Sequence, residues 1–421
     1  MTAIAVGKPR LGMGAAVVPL MALAVFINYV DRGNLATAGP LIKDELGLSA
    51  SRLGLIISAF FWSYTPCQLL AGWLAEKFNP YRTLAAGLAI WSLATAAMGL
   101  TSGFLALIAL RILLGLGESA AFPCSSKLIG EHLPHHKMGA ANGMIIIGTA
   151  LGPAFGTFVG GMLMAQLGWR PVFLLFGLAS LLWLIPWIAV SRAAPAAHKV
   201  ASAGVAPSLA AIVARPEAWA AGLGHFANNY SFYFVITWLP VYLVKARGFT
   251  MAEMAALGGM IYVVYAAASL GLGWLSDRLI AGGRSVNLVR KGFMGVGLAI
   301  VAVALAVCAF GDASFANISL FAAAVGFGFS GPTIYCIGQT LAGPRAGGAW
   351  IGFQNMIGNI AGIVGPLITG VLVDRTGGFG AAFAVAAAVA LSGIVSWCLL
   401  IPKVAPLDWS RGRRAAMPSA A

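Results

Sequence analysis

The sequence predicts an all-α membrane protein of twelve transmembrane helices arranged as two pseudo-symmetric halves of six. Three observations predict it. Of the 421 residues, 60% are hydrophobic and only 9% charged, against about 25% charged in a soluble chain. Apolar runs of about 20 residues recur along the whole length, each enough to cross ~30 Å of hydrocarbon as a helix. Stretches such as SLLWLIPWIAV and LAIVAVALAVCAF lack the alternation that a membrane β-barrel requires. The third observation is an internal repeat. GWLAEK (Gly72 to Lys77) returns as GWLSDR (Gly273 to Arg278), and Gly139, Asn142, Gly152 and Pro153 return as Gly352, Asn355, Gly365 and Pro366. Two related halves point to a transporter that rocks around a central site.

The spans are expected near 12–38, 52–75, 83–102, 104–130, 138–166, 170–191, 217–244, 252–280, 290–310, 314–341, 348–373 and 379–401. Residues 192–216, rich in Ala, Pro and Ser, read as a cytoplasmic linker. It joins an N-terminal half (1–191) to a C-terminal half (217–402), and a cytoplasmic tail (403–421) follows. Lys8 and Arg10 precede the first apolar run. That run continues past a signal-peptidase-like Ala22-Leu23-Ala24, so it reads as an uncleaved span.

Basic residues give the orientation. Eighteen of the 26 Lys and Arg fall in the termini and the loops on their side, six in the opposite loops. Positive charge stays inside, so both termini are expected in the cytoplasm and the protein in the cytoplasmic (inner) membrane. This topological bias accounts for the net charge of +14 without nucleic-acid binding, since no extramembrane domain could present a basic face.

The remaining two basic residues, Arg32 and Arg111, lie inside spans, as do Asp31 and Glu118. An ionisable residue at membrane depth costs about 2.5 kcal/mol or more, so its presence suggests a partner or a task. Arg111 and Glu118, seven apart, share a helix face but stand about 10.5 Å apart along the axis. Each must look to another helix, and Asp31/Arg32 is the available counterpart. A carboxylate entering a low-dielectric cavity needs a fixed cation. Arginine supplies a bidentate fork that keeps its proton, which favours Arg32 as the anion ligand. Asp31 and Glu118 are the candidates for proton coupling, with Arg111 as gate or tuner. The competing reading is a static ion network that fixes helix register. No comparable charge lies deep in spans 7–12; His225 is the nearest exception and reads as a packed residue.

Several motifs carry a resemblance. GWLAEKFNPYR resembles the loop signature of the major facilitator superfamily, with Gly72, Glu76, Lys77 and Arg82 in its places and Gly273, Asp277 and Arg278 in the repeat. The family more often has Asp for Glu76 and Gly for Asn79. NYVDRGNL, RILLGLGESAAFP (Arg111 to Pro123) and TWLPVYL (Thr237 to Leu243) are similar to the anion:cation symporter branch. That branch includes carriers for galactonate, glucarate, hexuronates and phthalate, and the sialin and vesicular glutamate carriers. The resemblance implies the major facilitator fold and the same roles for the buried charges. Tyr29 and Tyr64 align with substrate-contacting tyrosines of the branch, although either could be a core or interfacial aromatic. Thr149 stands where some sugar-acid carriers have a longer amide, and Asn359 matches a branch asparagine. Ser330, Tyr335, Asn229 and Tyr233 are further hydrogen-bonding candidates from their depth alone.

The expected function is proton-coupled symport of an organic anion, a sugar acid (hexonate, hexuronate or aldarate) or another carboxylate, by alternating access. The alternative is a proton-coupled drug or cation exporter of the same fold, which would not favour a substrate-facing Arg32. An enzyme would need a nucleophile–base set or metal ligands near the interface, and neither an HExxH nor a convergent Ser/His/Asp set is present. A sensor would need a signalling domain, and only eighteen residues follow Lys403. Small-xxx-small patterns, Gly148 to Gly152 and Gly358 to Gly362, read as helix packing. The five cysteines are scattered as packing residues, and His132, His135 and His136 read as a solvated loop. The partners expected are the anion, the proton and the bilayer, with no metal, cofactor or nucleic acid, and the family implies a monomer.

Overall fold

The computed structural model describes residues 11–77, 79–132, 135–193 and 207–409. Every regular element among them is helical: α1 (Leu11–Glu45), α2 (Ala50–Lys77), α3 (Pro80–Leu100), α4 (Phe104–Glu118), α5 (Ala121–His132), α6 (His135–Phe155), α7 (Gly161–Leu167), α8 (Trp169–Leu181), α9 (Leu184–Ala193), α10 (Leu209–Val213), α11 (Pro216–Val241), α12 (Met251–Ala281), α13 (Val286–Phe310), α14 (Ala316–Thr376) and α15 (Gly380–Ile394). Ten spans among the described residues are long and apolar enough to cross a membrane. The other two expected spans are α2 and α11, of 28 and 26 residues. At 1.5 Å per residue each is also long enough. His225, Asn228 and Asn229 lower the hydropathy of α11.

Prolines and one glycine explain the interruptions. Pro123 lacks the N–H that would reach Ser119, and its ring crowds that carbonyl; α4 accordingly ends at Glu118 and α5 resumes at Ala121. Pro186 divides α8 from α9 in the same way. In α14 the backbone leaves the helix at Gly343 (φ 65°, ψ 178°), a conformation open mainly to glycine. This break separates spans Ala316–Gly343 and Ala349–Thr376. Short π-helical stretches, Gly156–Gly160, Tyr242–Ala246 and Val395–Leu400, continue α6, α11 and α15.

The described residues fall into two compact units. One is drawn from Met1–Leu48, Ala59–Ala201 and Leu243–Gly259, the other from Ser49–Ser58, Ser202–Tyr242 and Met260–Ala421. Relative to the predicted halves, the units exchange two short segments. The exchange has visible causes. Asp374 accepts hydrogen bonds from the Ala50 and Ser51 N–H groups at 2.9 and 2.8 Å, and Ser58 donates to the Ile363 carbonyl at 2.9 Å, all within the second unit. In the first unit, Lys245 pairs with Asp44.

Within the first unit α1 packs on α6, and α3 on α4 and α8. Small residues permit the approach: a Cβ at Gly152 would stand 2.6 Å from the Tyr29 Cβ and 2.7 Å from the Phe26 carbonyl oxygen. In the second unit α14 packs on α11 and α13, and α13 on α15. Burial is inverted relative to a soluble protein. Leu100, Leu105 and Phe310 are more than 70% exposed, while Asp31, Arg111 and Glu118 are buried. Apolar side chains outward and ionised ones inward are what a lipid solvent selects.

Candidate functional site

Three neighbouring residues of α1 open the site. Asn28, Asp31 and Arg32 stand at i, i+3 and i+4, one face of a helix. That face meets α4, and the Arg32 Nε donates to the Glu118 Oε2 at 3.0 Å. The pair joins residues 86 positions apart. Glu118 is fully buried, whereas the Arg32 side chain keeps 12% exposure. Asn28, itself fully buried, lies beside Glu118. Glu118 occupies the last helical residue of α4, just before the break that Pro123 imposes.

Aromatic rings surround the cation. The Arg32 guanidinium carbon is 4.6 Å from the Tyr29 ring centroid, 4.7 Å from Phe60 and 4.5 Å from Tyr64. Phe60 and Tyr64, one turn apart on α2, stack at 4.8 Å. Arg111 lies over the same Phe60 ring at 4.8 Å. A desolvated cation over an aromatic ring gains about 2 kcal/mol, so rings and carboxylates share the work of holding the two arginines.

Asp31 is also buried. It stands within electrostatic reach of Glu118 and Arg111. Neither of its oxygens meets hydrogen-bond geometry among the described residues, although the Thr95 hydroxyl of α3 lies beside it. The four predicted charges therefore form one cluster, formally neutral, inside the first unit. Thr149 is half-buried on α6, between the glycines that pack on α1.

The second unit carries a separate, uncharged cluster. Tyr233 of α11 donates to the Asn359 side chain of α14 at 2.8 Å. Ser330 is fully buried and donates to Asn228 at 2.6 Å, which ties α14 to α11. Tyr335 is 39% exposed and meets the His225 ring edge-on at 5.9 Å. His225 in turn lies beside the half-buried Asn229. A Cβ at Gly358 would stand 2.8 Å from the His225 ring, so that glycine makes room for the imidazole.

The loop motif is partly in view. The side chains of Gly72, Glu76 and Lys77, and those of His132, His135 and His136, lie outside the described ones. Arg82 is exposed. Asn79, the departure from the family pattern, caps α3 by accepting from the Tyr81 N–H at 2.9 Å. In the repeat, Asp277 pairs with Arg290 at 2.8 Å, and Arg278 lies over Trp274 at 5.0 Å. Gly273 has open space around it among the described residues.

Sequence reasoning missed Asn28, Phe60, Thr95 and Asn228. The helical spacing of Asn28 to Arg32 and of Phe60 to Tyr64 was the available signal.

Comparison with known proteins decides the family. The family model for the Major Facilitator Superfamily matches residues 21–365. The chain belongs to the major facilitator superfamily. The facilitator is 31% identical over 411 residues to the probable sulfoacetate transporter SauU of Cupriavidus necator, covering 94% of this chain and 95% of that one. It is 29% identical to the hexuronate transporter of Bacillus subtilis (89% and 92% covered) and 30% identical to the D-galactonate transporter of Escherichia coli (91% and 94% covered). These relatives are organic-anion transporters, not enzymes, in accord with the branch that the motifs resemble. Its fold is similar to that of a bacterial homolog of the human lysosomal transporter Spinster in an inward-facing, unoccupied conformation. The TM-score there is 0.72 at 18% identity, with 93% of this chain and 96% of that one covered.

Proposed function

We propose that this facilitator is a proton-coupled symporter that takes up an organic anion, a sugar acid or another hydroxylated carboxylate, across the cytoplasmic membrane by alternating access. The observation that carries the reading is the ion pair of a partly exposed Arg32 with a fully buried Glu118.

The pair links anion to proton by competition. While Glu118 is ionised it holds the Arg32 Nε–H. A proton arriving at Glu118 neutralises it and loosens that bond. The guanidinium then turns its N–H groups to a substrate carboxylate, for which a charge-assisted bidentate bond is the strongest offer available. One proton and one monoanion together leave the formal charge of the buried cluster unchanged. An anion alone, or a proton alone, would leave an uncompensated charge at membrane depth, at a cost of several kcal/mol. Asp31 is a second acid in the same cluster, and the two titrate as a coupled set. Arg111, buried beside Phe60, tunes both acids. Tyr29 and Tyr64 hold Arg32 and offer hydroxyls to the substrate. The chain works as a monomer with both termini cytoplasmic, on the strength of the family and of the Lys/Arg bias.

Uptake into proteoliposomes, acid outside, tests the reading across galactonate, glucarate, glucuronate, tartrate, phthalate, sulfoacetate and lactate, with neutral sugars and a lipophilic cation as controls. Gradient-dependent accumulation of at least one anion is expected. Movement of the cation alone would favour the exporter and make Arg32 structural.

A further inference from the structure

The ring of Phe60 serves two guanidinium groups at once. Arg32 lies 4.7 Å from its centroid and Arg111 4.8 Å. The ring is 1% exposed, stacks on Tyr64 at 4.8 Å and meets Phe61 edge-on at 4.9 Å. Its backbone is equally constrained. Gly115 of α4 comes so close that a side chain there would collide with the Phe60 carbonyl oxygen. Ser63, one turn on, donates to the Ile112 carbonyl of α4 at 2.6 Å. The ring is thus a fixed point between α1 and α4.

Two like charges in a low-dielectric setting repel. The charged groups around them are Asp31 on α1 and Glu118 on α4, and the Arg32 Nε pairs with the Glu118 Oε2 at 3.0 Å. A ring quadrupole attracts a cation without competing for its N–H groups. A guanidinium held by a ring keeps its donors for carboxylates, which a guanidinium held by further acids would not.

We propose that Phe60 is a positioning residue for anion binding: its ring fixes Arg32 and Arg111 relative to one another and keeps the Arg32 donors aimed at Glu118 or at an incoming carboxylate. The inference rests on the reading of Arg32 as the anion ligand. It goes beyond that reading by assigning an apolar side chain a part in substrate affinity.

Replacing Phe60 by mono-, di- and trifluorophenylalanine tests it, because fluorination removes the ring quadrupole while nearly preserving its shape. The first readout needs no substrate. Purified variants are treated with phenylglyoxal, and modification of Arg32 is followed by peptide mass spectrometry. Modification is expected to quicken stepwise with fluorination, several-fold at the trifluoro ring, in variants that remain folded. The second readout is transport of galactonate and glucuronate. KM is expected to rise stepwise to about tenfold, with the maximum rate moving less.

If labelling of Arg32 and KM both stay at the parent values in folded protein, the proposal is overturned and Phe60 is packing. If labelling quickens while the parent itself carries no anion, the ring's hold on Arg32 stands and the proposed function falls. Phe60→Leu, which keeps bulk without a π face, is expected to follow the trifluoro variant in both readouts. A Leu variant with parental KM would overturn the proposal as well.

Discussion

Arg32 and Glu118 are bound at 3.0 Å, and the acid is fully buried while the base keeps a foothold in open space. Under the proposed function the proton acts at the buried acid and the substrate carboxylate at the partly exposed base. That geometry separates the two roles and makes them testable apart.

Glu118→Gln keeps the size of the side chain and an oxygen for Arg32 but can no longer titrate. Anion binding and exchange of labelled for unlabelled anion are expected to continue. Accumulation driven by a pH gradient is expected to vanish. Counterflow and gradient-driven uptake in the same proteoliposomes check this, and a variant that accumulates like the parent would remove Glu118 from coupling.

Arg32→Lys keeps the charge but loses the planar fork and much of the contact with Tyr29, Phe60 and Tyr64. Affinity for the anion is expected to fall about tenfold or more, since lysine is a point charge and not a bidentate donor. Arg32→Ala is expected to abolish binding. Substrate-dependent shifts in melting temperature measure both.

Gly152→Ala places a methyl 2.6 Å from the Tyr29 Cβ. Overpacking of this kind costs about 1–3 kcal/mol. The melting temperature should drop, and KM should rise as Tyr29 is displaced from Arg32. Gly273→Ala, inside α12 with nothing within 4 Å, is expected not to lower the melting temperature, since alanine favours a helix interior, and serves as the control.

Asp374→Ala removes the acceptor of the Ala50 and Ser51 N–H groups at the start of α2. Loss of such a cap costs about 0.5–2 kcal/mol. Asp374→Asn is expected to recover part of it. Thermal unfolding in detergent distinguishes the two variants, and equal stability of Asp374→Ala and parent would show that the cap contributes nothing.

Much of this was legible in the residues, because lipid simplifies the reading. A charge inside an apolar run has few partners to choose from. Arg111 and Glu118 had to look across to Asp31 and Arg32, and the Arg32–Glu118 pair is there. Gly148 and Gly152 announced a close helix contact by their spacing, and the structure makes it between α6 and α1. Phe60 was harder to read: its spacing to Tyr64 hinted at a shared face, but an aromatic ring under a cation has the same sequence signature as one facing lipid. Asn228 was hidden for a related reason: it sits beside Asn229, and only the fold tells which of two adjacent amides reaches Ser330. The exchange of 49–58 and 243–259 between the compact units depends on contacts such as Asp374 with Ala50, whose partners lie 324 residues apart.

The most direct measurement of the central claim is proton movement itself. Proteoliposomes loaded with a pH-sensitive dye are given the transported anion with no imposed gradient, with Glu118→Gln as control. The account predicts that the lumen acidifies as the anion enters, that a protonophore abolishes the signal, and that Glu118→Gln shows none. Anion entry with no change in luminal pH would contradict it.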